Sequence, residues 1–211
     1  MEESSANYSW VPFYEKMATA LLSFAPHRNE LVQKLRESFE KHKLKQPTWG
    51  PDGVEPSQID PFTIFCSFSK FSMAQENRIK YAAAVAEVLG VDSPLPNGFN
   101  GLSLMNAMRA AFYGWEALEN GADDIDNLWK LFVSAIQYAD TGSPESEAEF
   151  VRVYDIAQTQ YAIKWNITMG LFWIRPRSFI NLDQVCRAFI NNRLKLAIPP
   201  IKASVPPSGM E

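Results

Sequence analysis

The densest chemistry in this chain lies in Lys164 to Arg177, which reads KWNITMGLFWIRPR. Trp165, Phe172 and Trp173 offer aromatic faces, Asn166 an amide that donates and accepts, and Arg175 and Arg177 guanidinium forks. These are the three parts that a flipped or single-stranded base requires: a stacking surface, an edge to hydrogen-bond, and a partner for phosphate. The same residues also fit a structural role. Alternating tryptophans on a strand commonly face a core, and Arg175 can pair with acids elsewhere in the chain. Lys70 and Arg78, which flank a turn after a phenylalanine-rich element, are further phosphate candidates.

Other chemistries lack their residues. The sequence has no GxxxxGK[ST] loop, no GxSxG elbow, no HExxH and no GxGxxG after a strand, so hydrolysis of nucleotides by this chain alone is not expected. Gly98-Phe99-Asn100-Gly101 has the GxxG spacing of a backbone-clamping loop, but so short a match reads first as a plain turn. His27 and His42 read as lying on surface helices roughly four turns apart with no obvious acidic orienter, so a general-base role is not expected. Asp123, Asp124 and Asp126 suit a helix start better than a cation site. Two cysteines, Cys66 and Cys186, make neither a disulfide framework nor a zinc cluster and read as packing thiols. No cofactor is expected.

A net charge of −4 over 211 residues disfavours a surface that binds nucleic acid everywhere. The charge is unevenly distributed, however. Glu116 to Asp155 holds ten acids and two bases, whereas Lys164 to Lys195 holds six bases and one acid, Asp183. The two stretches either neutralise each other or leave a local basic surface. No run approaches the roughly 18 apolar residues of a membrane span, and the acidic, polar start MEESSANYSW is unlike a signal peptide. A cytoplasmic protein with no membrane partner is the expectation.

The elements that position these residues are mostly helical. Ser9, Pro12 and the spacing Phe13, Met17, Leu21, Phe24 predict a first helix, and Leu31, Leu35, Phe39 a second. Pro47, Gly50, Pro51, Gly53 and Pro56 predict a loop. Asp60-Pro61 caps a short buried helix carrying Phe62, Phe65 and Phe68, with a strand as second choice. Helices follow over Gln75 to Leu89, ended by Gly90, then over about Ser103 to Trp115, Asp124 to Ala139, and from Ser143-Pro144 onward through Phe150, Val151, Tyr154 and Ala157. From Ile163 to Trp173 the pattern alternates with period two and predicts a strand. Phe179 to Leu182 is a candidate partner strand, and Asp183 caps a last helix. The expectation is a mainly α (α+β) fold with one small β-sheet in the C-terminal third: a helical pair over 1–45, a loop over 46–58, a main body over 59–197, and a disordered or linker tail over 198–211.

Three runs, IDPFTIFCSFSKFSMAQENRIK (Ile59 to Lys80), DDIDNLWKLFVSAIQYAD (Asp123 to Asp140) and KWNITMGLFWIRPRSFINLD (Lys164 to Asp183), resemble an N-terminal region found ahead of McrB-type AAA+ GTPases. The resemblance covers most of Trp10 to Ile190 in the same order. It departs from the pattern at Phe68-Ser69-Lys70-Phe71, where FNRG is expected, so no loop arginine stands there. The resemblance implies a division of labour in which such a region recognises DNA, often a modified base; the flipped base remains the reading of Lys164 to Arg177 itself. A following AAA+ motor domain hydrolyses GTP and recruits a separate nuclease subunit of a restriction system. On that basis the chain is a non-catalytic DNA reader; the alternative is a protein-interaction or assembly module of the same machine.

Overall fold

A computed structural model of the chain describes residues 8–51, 54–106, 111–114, 123–199 and 201. It is mainly helical, with eight α-helices and one 3-10 turn among the described residues, and the chain divides between Ala111 and Phe112 into two compact units.

The first unit holds α1 (Trp10–Leu21), a 3-10 turn (Leu22–Phe24), α2 (Arg28–Lys41), α3 (Pro61–Phe68) and α4 (Gln75–Val88). The amphipathic spacing read from sequence fixes the inward faces, with Phe13, Met17, Leu21, Leu31, Leu35 and Phe39 all buried. Helix α3 starts where Asp60 and Pro61 dictate, the Asp60 carboxylate accepting from the Thr63 N–H at 3.0 Å. Every residue of α3 is buried, which is why its phenylalanines carry no helical stripe. Gly90 ends α4 at φ 65°, a left-handed conformation that costs glycine little. The loop over 46–58 lies inside this unit. Its Trp49 is buried, donating from Nε1 to Ser67 Oγ at 2.9 Å, and α2 packs on α4 across it.

The second unit holds α5 (Asp124–Thr141), α6 (Pro144–Ala157), α7 (Asn166–Ile174) and α8 (Gln184–Arg193). Helices α5 and α6 form a tight hairpin. Gly142 at φ 61° ends one, and Ser143, whose Oγ accepts from the Ser146 N–H at 3.2 Å, starts the other. Tyr138, Phe150 and Phe179 stack at its open side, with Tyr138 and Phe150 near-parallel at 5.4 Å. On α6 the core takes Val153 and Ala157 and leaves Val151 exposed, a rotation of the predicted stripe.

The small sheet is the main correction. Ile163 to Trp173 is not a strand: Asn166–Ile174 is a helix, and the residues of the supposed partner strand, Phe179 to Leu182, are in neither helix nor strand. Among the described residues the one β feature outside the helices is an isolated parallel bridge of Lys70 with Met105. The alternation failed as evidence because its polar half was not polar in place. Thr168 and Gly170 are buried beside Ile167, Met169, Leu171 and Trp173, so α7 is enclosed nearly all round and no face needs to be hydrophilic. The helix predicted over Ser103 to Trp115 falls partly outside the described residues; Ser103–Asn106 and Ala111–Gly114 are not helical. Of the tail, residues 198, 199 and 201 are described.

Candidate functional site

The chemistry-bearing stretch turns on how α7 begins and ends. At its start Asn166 folds its amide back onto its own chain: Oδ1 accepts from the Lys164 N–H at 2.6 Å, and Nδ2 donates to the Ala162 carbonyl at 3.2 Å. That amide caps the turn into the helix and is not presented outward. Thr168 Oγ1 donates to the Trp165 carbonyl and accepts from the Leu182 N–H at 3.0 Å, tying α7 to the approach to α8. Trp173 is fully buried, its ring edge-on to Phe112 at 6.0 Å.

At the end of α7, Arg175 is buried and engaged on several sides. Its Nε and Nη2 form a bidentate fork on Asp140 of α5 at 2.7 and 2.8 Å, and Nη1 donates to the Ile174 carbonyl at 2.8 Å. The Arg175 hydrogen bonds hold the Asp140 carboxyl below its ordinary range, against the effect of burial. Acidic and basic stretches thus meet here. Arg177, two residues on, is exposed.

The second basic element is α8, which begins where Asp183 accepts from the Cys186 N–H at 2.8 Å. Burial opposes the Asp183 charge, but the N–H groups of Cys186 and Val185 and the Asn181 amide still hold its carboxyl low. One turn later Arg187 lays its guanidinium over the Trp165 ring, 4.4 Å from the centroid, with a long hydrogen bond of 3.4 Å from Nε to the Asp183 carbonyl. Trp165 and Arg187 are both half-buried, and Lys164 and Arg177 stand exposed in the same stretch. Neither Lys164, Arg177, Arg193 nor Lys195 is joined to a carboxylate among the described residues. The guanidinium–indole stack, with Lys164 and Arg177 beside it in sequence, is the most ligand-ready group in the second unit.

In the first unit Arg78 and Lys70 have separate fates. Arg78 is 5% exposed; Nε donates to the Phe68 carbonyl at 2.9 Å, and Nη2 to the Lys70 and Met73 carbonyls at 2.9 and 3.1 Å. It also lies over the Phe99 ring at 5.2 Å. Lys70 is half-buried and its backbone is held by the bridge to Met105. This pinned turn leaves Phe71 at its tip, 73% exposed.

Of the seven residues singled out from sequence, then, Trp173, Arg175 and Arg78 are buried and Asn166 is occupied by local backbone. Trp165, Arg177 and Lys70 remain at or near the surface. Sequence reasoning passed over Arg187 as a site residue: the N-cap at Asp183 puts residue 187 one turn into the helix, but its contact with Trp165 is set by how α8 packs on the start of α7. It also passed over the acid beside His42, since Glu87 lies on another helix and its carboxylate accepts from the ring Nε2 only through the α2–α4 packing, at 2.7 Å. Gly98 to Gly101 makes a turn, with Gly101 at φ 73° and the Leu102 N–H donating to the Phe99 carbonyl. Among the described residues no group of three or more His, Cys, Asp or Glu is placed to hold a metal ion, and no helix is long and apolar enough to cross a membrane.

No curated protein and no solved structure matches the chain. One family model does, described as a domain of unknown function (DUF8425), and it aligns with residues 10–204, across both units and every helix. The chain belongs to the DUF8425 family.

Proposed function

We propose that this chain is a non-catalytic DNA-recognition module, the reader of a McrB-type restriction GTPase whose motor and nuclease act elsewhere. The observation that carries the reading is the stack of Arg187 on Trp165 at 4.4 Å, in a stretch that also exposes Lys164 and Arg177. A guanidinium placed over an indole keeps N–H groups for phosphate oxygens or a guanine edge, and the half-buried indole supports an unstacked base. The two lone cations supply phosphate charge without specificity. The resemblance of three runs to McrB-type N-terminal regions supports DNA as the ligand class, with a modified or flipped base as its specific form.

Fluorescence anisotropy with labelled duplexes, methylated and unmodified, over a series of salt concentrations tests this. The expectation is binding whose logarithm falls steeply with the logarithm of salt concentration, by close to one unit of slope per phosphate contact. Binding that is absent at low salt contradicts it. Repurified protein should neither hydrolyse GTP nor cut DNA; turnover that disappears on a single substitution in this chain contradicts the non-catalytic reading.

A second reading, a protein-interaction or assembly module, has its own observation. Ile180, Val185, Phe189, Leu194 and Leu196 are all exposed within the same basic segment, and no residue of α8 is buried. Exposed apolar side chains grouped this way mark a surface that another protein covers.

A further inference from the structure

Residues 116–155 carry ten acids against two bases, and residues 164–195 six bases against one acid. Within one copy Arg175 on Asp140 joins these opposite stretches. The charges farther out face solvent on two different helices. On α8 the row Val185, Phe189, Arg193 repeats every four residues and is exposed throughout, with Leu194 and Leu196 beyond it. On α6 the row Glu147, Val151, Asp155 has the same spacing and is also exposed, with Ile156 beside it and Glu145 and Glu149 along the same helix. Each row is an apolar centre with charge at its end, and the charges have opposite sign.

We infer that α8 docks on α6 of a second copy of this chain, reciprocally, in a twofold dimer. Laid antiparallel, the two rows bring Phe189 against Val151 and Arg193 against Glu147, with Val185 beside Ile156 and Asp155 at the rim. Residues four apart lie one above the other on a helix surface, so matching spacings keep both pairings in register along the contact. A twofold axis forms the contact twice, because the same patch is offered by both copies. That doubling matters, since one ten-residue helix on one partner falls short of the roughly 1,200 Å² that a stable interface buries. Charge complementarity is what selects a copy of this chain over an unrelated apolar surface. The Arg187–Trp165 stack lies on the opposite, half-buried side of α8, so the dimer leaves it clear.

Sedimentation equilibrium on the full chain at low salt should give twice the 23.9 kDa of one copy, with dissociation on raising salt. Phe189→Asp, at an exposed position, should give a monomer with an unchanged circular dichroism spectrum and a Tm that no longer depends on protein concentration. Arg193→Glu should weaken association at least tenfold, and Arg193→Glu combined with Glu147→Arg should restore it. A monomer at every concentration and salt, a dimer that survives Phe189→Asp, or a double variant no tighter than Arg193→Glu overturns the inference. DNA affinity of the Phe189→Asp monomer, measured alongside, reports on the Arg187–Trp165 contact separately.

Discussion

Two aromatic-rich segments of this chain are each followed by a turn, one between α3 and α4 and one between α7 and α8, and the arginines at these turns, Arg78 in the first turn of α4 and Arg175 and Arg177 after α7, are spent differently. The first leaves three backbone carbonyls pointing inward, at Phe68, Lys70 and Met73, and Arg78 is consumed in satisfying them. The second satisfies its own backbone, the Arg175 carbonyl accepting from the Ser178 and Phe179 N–H groups and the Asn181 and Asp183 side chains accepting N–H groups as caps, so Arg175 alone is drawn into the core and the others stay outside. Arginine beside aromatics is therefore ambiguous until the backbone's own hydrogen-bonding needs are counted.

Removing the inward cations should cost most. Arg78→Ala removes a buried guanidinium and leaves the Phe68 and Met73 carbonyls without its N–H groups, while the Lys70 carbonyl keeps the Met73 N–H, and it is expected to destabilise by about 3 to 5 kcal/mol, read as a fall in denaturant midpoint at unchanged m. Trp173→Ala should cost a similar amount, about 3 to 5 kcal/mol, as a cavity in the second unit, and lower Tm. If either variant keeps wild-type stability, the contrast between inward and outward cations collapses.

Arg175→Ala is the intermediate case. Asp140 is 51% exposed, so water recovers part of its solvation and the loss should be about 2 kcal/mol, below that of a fully buried pair. The pair also sets an acid limit. Because the folded-state pKa of Asp140 is lowered from its ordinary 3.8, its stabilisation is complete above that value and is lost as pH falls through the lower, folded value. In acid titrations followed by circular dichroism, Arg175→Ala should therefore lose less stability than wild type as pH falls below about 4. A parallel loss in both proteins would refute the role of the pair.

The outward cations should leave stability nearly untouched. Arg177→Ala is expected to change unfolding free energy by less than about 0.5 kcal/mol while weakening DNA binding by about 1 kcal/mol across sequences and flattening the salt slope. Loss of stability without loss of binding would reverse its assignment.

Much of this fold was legible in the sequence because it is written in short-range signals. Asp60-Pro61, Ser143-Pro144 and Asp183 each start a helix where such caps must, and Gly90 ends one. The period-two run over 163–173 misled because alternation is informative only where one face meets water, and α7 has almost none. The candidate site was legible as a stretch but not as an arrangement. Trp165 and Arg177 keep surface positions, whereas the burial of Trp173 and Arg175 depends on Phe112 and Asp140, residues far away in sequence. Arg187 enters only once α8 is laid against the start of α7.

The most direct test of the central claim is the salt dependence of duplex binding by wild type and Arg187→Ala, with Tm measured on the same samples. Arg187→Ala should lose about 1 to 3 kcal/mol of affinity and about one unit of salt slope, with a Tm close to wild type. Identical isotherms for the two proteins at every salt concentration would contradict that claim.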